Sequence, residues 1–255
     1  MTQYSDHFAP EDLRVRGTVV VVPGRGETRA TYARFGRRLA ADAYRVRVVD
    51  APVLDAPDPA AGLRDLDARL AGAVEGTDAG DGVARPLVFV GADSGAAAVA
   101  ALHGRSGTAT GARPDALVLA GLPGRAGGPV GSWDDELDVR TSCPAHRAAL
   151  TGDPQVRQGL LGAALPEAVA AAHQDADTGL PVLLLVGDAD PLADPEALER
   201  AARSLPRARL SVVHGAHHDV LNDLQHRSVA AEVVSFLETL RNDLLPLTTV
   251  QFSAW

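Results

Sequence analysis

The sequence predicts a doubly wound α/β domain, with a mostly parallel sheet, helices on both faces and an insertion in its second half. Three observations carry this. Short apolar runs without polar alternation recur at 19–22 (VVVV), 87–90 (LVFV), 117–119 (LVL) and 183–186 (LLLV), the pattern of strands covered on both faces. Segments with helical apolar spacing separate them, which predicts a parallel sheet. The alternation lapses between residues 125 and 180 and then resumes. At 255 residues the chain fits one large domain. We read 1–124 and 181–255 as the core and 125–180 as a cap or lid.

Taken in order, residues 1–13 are polar and mixed, suited to an arm or an irregular edge. Val15–Val22 is a buried strand ending in the loop Pro23-Gly24-Arg25-Gly26-Glu27. Thr28–Ala43 has Tyr32, Phe35, Leu39 and Ala43 at helical spacing, and Tyr44–Asp50 is the next strand. After a proline-rich loop, Ala60–Val74 places Leu63, Leu66 and Leu70 on one helical face. Leu87–Val90 is a strand, followed by a turn of very small residues and an alanine-rich helix to about His103. Asp115–Ala120 is a strand. The insertion holds Trp133, a Cys143-Pro144 turn and helical patterns around Ala145–Leu150 and Gln155–Ala172. Pro181–Val186 resumes the sheet, then a helix at Asp194–Ser204, a strand at Arg207–Val213 and a last helix at about Ser228–Arg241. The tail LLPLTTVQFSAW is apolar for a terminus, and is expected to pack on the body or on a second copy.

Composition narrows the chemistry. The net charge of -9 gives no nucleic-acid footprint. All 24 basic residues are arginine. With no lysine, a Schiff-base lysine and a Walker-type phosphate loop are excluded. Cys143 is the sole cysteine, so no internal disulfide or thiolate cluster can form. The start has no signal-peptide core and no run has the length of a membrane span. The expectation is a cytoplasmic protein without cofactor or metal.

The stretch Leu87–Ala98, LVFVGADSGAAA, carries the chemistry. Gly91 and Gly95 flank Asp93 in a G-x-D-x-G arrangement, the spacing of a nucleophile elbow, where small neighbours let strand and helix close up and push the central side chain outward. An aspartate there is equally a good helix N-cap. Downstream, Gly187-Asp188-Ala189-Asp190 follows a strand, and His214-Gly215-Ala216-His217-His218-Asp219 follows the next. Carboxylates and histidine thus fall at the carboxyl edge of the sheet, where open α/β sheets carry their sites.

In this order the sequence resembles the α/β-hydrolase superfamily, nearest its lysophospholipase and monoacylglycerol-lipase branch. The blocks that carry the resemblance are Val20–Glu27 (VVVPGRGE), Val90–Ala96 (VGADSGA), Leu185–Leu192 (LVGDADPL) and Val213–Asp223 (VHGAHHDVLND). It covers about 15–124 and 181–241 and leaves 125–180 unmatched. It implies an α/β-hydrolase fold with a catalytic triad of Asp93 at the elbow, Asp190 as orienting acid and His218 as base. It further implies an oxyanion hole from the backbone N–H groups of Arg25 and Ser94. Pro23 stands where the branch has a histidine. Within the insertion, Trp133 and His146 are the pocket candidates. Grouping His214, His217, His218 and Asp219 around a metal finds no open-site pattern such as H-E-x-x-H.

An elbow aspartate is similar to that of haloalkane dehalogenases and epoxide hydrolases. There a carboxylate attacks an sp3 carbon and a histidine-activated water hydrolyses the alkyl-enzyme ester. The expected function is hydrolysis of a small, largely apolar organic molecule through an aspartate nucleophile. A carboxylesterase or lysophospholipase-like hydrolase and a lyase, isomerase or ligand-binding protein on the same scaffold remain alternatives, and a separate alternative places the nucleophile at Ser94, one residue off register. The expected partners are a small-molecule substrate and a second copy of the chain joined through the C-terminal tail, with no nucleic acid and no membrane span.

Overall fold

The four apolar runs build four of the central strands, while the other strands carry polar residues within them. The computed structural model describes residues 4–54, 58–75, 82–104, 107–124, 131–167, 169–170 and 178–253. Among the described residues there are seven strands: β1 (Tyr4–His7), β2 (Gly17–Val22), β3 (Tyr44–Val49), β4 (Leu87–Ala92), β5 (Ala116–Ala120), β6 (Val182–Gly187) and β7 (Ala208–Val213). They form one sheet in the order β1-β3-β2-β4-β5-β6-β7. All neighbours are parallel except β1, which pairs antiparallel with β3, Tyr4 opposite Val49. The polar sequence of β1, YSDH, gives it no apolar signal, which is why the sequence shows only an irregular edge.

Successive strand residues feed two cores, as period-two geometry requires. Val20, Val22, Phe89 and Leu117 join Leu66 and Leu70 of α2 (Pro59–Glu75), the alanines of α3 (Ser94–His103) and, from the helix Pro195–Ser204, Leu198. Val19, Val21, Val88 and Val90 join Phe35 and Leu39 of α1 (Ala33–Ala41) and, from the helix His226–Leu240, Val233 and Phe236. The expected helix at 28–43 opens as a 3-10 turn, Arg29–Tyr32, before α1. The sheet order reverses at β2 and β4, because the chain leaves β2 toward β3 on one side and returns to β4 on the other. That switch point, beyond the carboxyl ends of the strands, is where open α/β sheets carry their sites.

The described part of the insertion holds α4 (Trp133–Arg140), α5 (Pro144–Gly152) and a 3-10 turn at Leu160–Gly162. The two core helices that follow are α6 (Pro195–Ser204) and α7 (His226–Leu240). In place of the helix expected over 155–172, the described residues give that 3-10 turn and helical positions at 167, 169 and 170, while 168 and 171–177 lie outside them. In the described part of the tail, Leu245, Leu247, Val250 and Phe252 are exposed. Ala254 and Trp255 lie outside the described residues. Among the described residues no helix is long and apolar enough to cross a membrane.

Candidate active site

The elbow forms because two positions tolerate no side chain. A Cβ on Gly91 would come within 2.5 Å of the Ala96 Cα, and one on Gly95 within 2.5 Å of the Val22 and Pro23 carbonyl oxygens. Between them Asp93 adopts φ 47°, ψ -120°, a conformation that costs on the order of 1–3 kcal/mol for a residue with a side chain. Its carboxylate makes no cap bond to α3. It turns instead toward the loops after β2 and β7 and is 3% exposed. Ser94 is the first residue of α3 and is buried.

Three segments converge on that carboxylate. The loop after β2 brings the Arg25 backbone N–H, donating to Oδ2 at 2.8 Å. The loop after β7 brings His218, whose Nε2 lies 3.2 Å from Oδ1. The turn after β6 brings Asp190, whose Oδ2 is 2.9 Å from His218 Nδ1 while its Oδ1 accepts from the Leu192 N–H at 2.8 Å. His218 is thus bonded at both ring nitrogens. Burial alone would lower its pKa, but the two flanking carboxylates override this and push it up to about 10. Burial alone would raise Asp93, yet Arg25 and His218 hold its carboxyl well below the usual carboxylate range.

The sequence assigned Arg25 a backbone role only. In the structure its guanidinium also clamps Asp93: Nε sits 2.9 Å from Oδ2 and 3.1 Å from Oδ1, and Nη2 sits 2.6 Å from Oδ1. Its Nη1 donates to the carbonyl of Ala163 in the insertion. A cavity of about 10 Å³, roughly the room one water needs, is lined by Tyr32, Asp93, His218 and Asn222. The Asn222 Oδ1 is buried without a hydrogen-bond partner among the described residues.

Behind the carboxylate lies a second layer of charge. Arg140, fully buried, donates to Glu136 (2.8 and 3.0 Å), to Asp219 (3.4 Å) and to the Arg25 carbonyl (2.6 Å). His146 Nε2 is 2.8 Å from Asp219 Oδ2, so this pocket candidate is tied into the layer below the site. Trp133 bonds Thr151 through its indole N–H, joining α4 to α5. His214 pairs with Asp188 and His217 with Asp223, so the four-residue metal grouping is divided among separate partners. Among the described residues, donor atoms of Glu27, His146 and Asp219 do lie within 4.8 Å of one another. The Arg140 guanidinium already supplies the positive charge beside Asp219.

Glu27 is the ionisable weak point of that layer. Its Oε2 accepts from the Gly24 N–H at 3.0 Å and from the Tyr32 hydroxyl, while Oε1 has no partner among the described residues. Burial first, then Asp219, raises its pKa to about 7. A pKa raised in the folded state is stabilising below the unfolded value of 4.5 and loses that contribution as pH climbs to about 7. Glu27→Gln keeps the acceptor and removes the buried charge. Urea unfolding is expected to show little difference at pH 4.5 and a gain of up to about 3 kcal/mol at pH 8. Equal effects at both pH values would refute a titrating Glu27.

A family model described as serine aminopeptidase, S33, matches residues 86–225. The chain belongs to that S33 family. It is accordingly a hydrolase with an α/β-hydrolase fold. Among solved structures it is similar to a soluble variant of monoglyceride lipase from Saccharomyces cerevisiae, with TM-score 0.70, 18% identity, and 93% of this chain and 91% of that one covered. A Paleococcus ferrophilus monoacylglycerol lipase gives TM-score 0.69 and 18% identity over 93% and 98% of the two chains. The enol-lactonase of Burkholderia xenovorans gives 0.62 and 18% over 92% and 95%. At such identities the likeness speaks for the fold. A search of curated protein sequences finds no match. The family's description names a serine, whereas in this chain aspartate, Asp93, stands at the turn from β4 into α3.

Proposed function

We propose that the chain hydrolyses a small organic molecule through a covalent ester on Asp93, with Asp190 and His218 activating the water that releases it. The observation that carries this reading is the backbone of Asp93. Its φ of 47° forgoes the capping bond and aims the carboxylate at His218. Oδ1 is the attacking atom, forming a bond to an sp3 carbon as the leaving group departs with its electron pair. Oδ2 already sits on the Arg25 N–H, so the tetrahedral intermediate at Cγ develops its charge against a placed donor. The small cavity beside Asp93 and His218 suits the hydrolytic water, and Asn222 offers it a buried acceptor.

In the ester Asp93 carries no charge. One of the two carboxylates that keep His218 protonated is then gone, and its pKa falls from about 10. The hydrolytic half-reaction should therefore quicken with rising pH to a plateau reached below pH 10.

Single turnover in ¹⁸O-water is the test. A carboxylate nucleophile gives first-turnover product without label and leaves the label in the Asp93 peptide. Label in the first product with none in Asp93 would indicate serine or direct-water chemistry. Turnover with no label anywhere would indicate a lyase or isomerase. For the exposed apolar tail we propose contact with a second copy. A chain cut after Leu244 is then expected to sediment as a monomer where the full chain sediments as a dimer.

A further inference from the structure

The Arg25 guanidinium stands between Asp93 and the exposed turn at Ala163, and it engages both carboxylate oxygens. Oδ1, the atom that must reach a substrate carbon, is held by Nη2 at 2.6 Å. Asp93 and the Arg25 side chain are 3% and 11% exposed. A neutral substrate that pushed the guanidinium aside would leave two buried charges apart, which is strongly unfavourable. A substrate carboxylate avoids that cost, because it replaces one carboxylate in the arginine fork by another. Arginine presents its five N–H donors in a planar fork suited to this exchange. The Arg25 backbone N–H stays on Oδ2 throughout, so Asp93 is not lost from its hole when the side chain changes partner.

We propose that Arg25 is the recognition residue for a carboxylate on the substrate, so that the site takes small organic acids with the leaving group on the carbon next to the carboxylate. The class follows from reach. A guanidinium that stays beside Asp93 while its fork passes to the substrate carboxylate puts the attacked carbon within a bond or two of that group. In the step itself, Oδ1 forms a C–O bond to that carbon and the C–X bond breaks, with X leaving as an anion. Charge also favours this class. Before substrate enters, Arg25 and His218 face the carboxylates of Asp93 and Asp190. In the ester the substrate carboxylate takes the place of the charge Asp93 has given up. This inference rests on Asp93 as the attacking group for its covalent arm and on Arg25 alone for its binding arm.

The two arms are measured separately. Propionate and 2-chloropropionate, with propionamide and 2-chloropropionamide as uncharged partners and phosphate as an unrelated anion, are titrated calorimetrically. The targets are the wild type, Asp93→Asn, Arg25→Gln and Arg25→Lys. Propionate is expected to bind the wild type and to bind Asp93→Asn at least ten times more tightly, because the fork is released. Binding should be lost in Arg25→Gln and weakened about tenfold in Arg25→Lys, with propionamide silent. No propionate binding to wild type or Asp93→Asn overturns the proposal, as does equal binding of propionamide or phosphate. In His218→Gln, intact mass then reports alkylation by 2-chloropropionate. Alkylation by the amide alone overturns the role of Arg25 and leaves Asp93 as nucleophile. Propionate binding without alkylation upholds Arg25 and overturns the covalent reading of Asp93.

Discussion

Replacing His218 by glutamine is expected to stop the reaction at the ester, with the substrate's alkyl group found by peptide mapping on Asp93. His218 does not activate the attacking carboxylate, since Asp93 is ionised in the resting site. The first half-reaction should therefore survive the substitution, and a burst equal to the enzyme concentration should be seen. The second half needs a base for water, and losing a positioned general base costs on the order of 10²–10⁴ in rate. Glutamine keeps the volume and a donor toward Asp190, which limits collapse of the loop. Asp190→Asn should slow the same half-reaction less severely, by misorienting the imidazole that Asp190 now holds at 2.9 Å. An adduct on Ser94, or full turnover by the variant, would refute the assignment.

The largest stability effect is expected at Arg140. Its guanidinium is wholly buried and bonds Glu136, Asp219 and the Arg25 carbonyl at once. Arg140→Leu preserves bulk and leaves Glu136 and Asp219 without their cation. Removing one partner from a buried ionic group typically costs 3–5 kcal/mol. A loss of about that size in urea denaturation is the expected result, and a double-mutant cycle with Glu136→Gln should show coupling of at least about 1 kcal/mol. A loss under about 1 kcal/mol would mean that water or repacking replaces the pair. Activity should fall in parallel, because Arg140 also holds the carbonyl of the residue whose N–H donates to Asp93 Oδ2.

These two residues mark what the chain's pattern reveals and what it hides. The order elbow, Asp190, His218 is legible because it combines strand ends with small residues at fixed spacing. The five central parallel strands are legible because VVVV and LLLV have no other environment to occupy. Helix α4 escapes the same reading, since its buried face includes Glu136 and Arg140 rather than an apolar stripe. A better signal was the cap: Ser132 accepts from the Asp135 N–H, and acids fill the first turn. The conformation of Asp93 is also hidden, because an aspartate that caps its helix and one turned away from it share one letter and differ in φ. The Arg25 clamp is hidden for another reason. A contact spanning 68 residues leaves no local trace.

The insertion and the histidine loop are stitched together through backbone as well as side chains. His218 N–H donates to the Val139 carbonyl and Asp219 N–H to that of Arg140. Asp223 accepts from Thr141, Ser142, Leu224 and His217. The segment that carries α4 is therefore no interchangeable module. A replacement grafted from another member of the fold would arrive without its half of the lattice that seats His218. Natural or laboratory change of substrate range in this chain should accordingly favour point substitutions within that segment over its wholesale exchange.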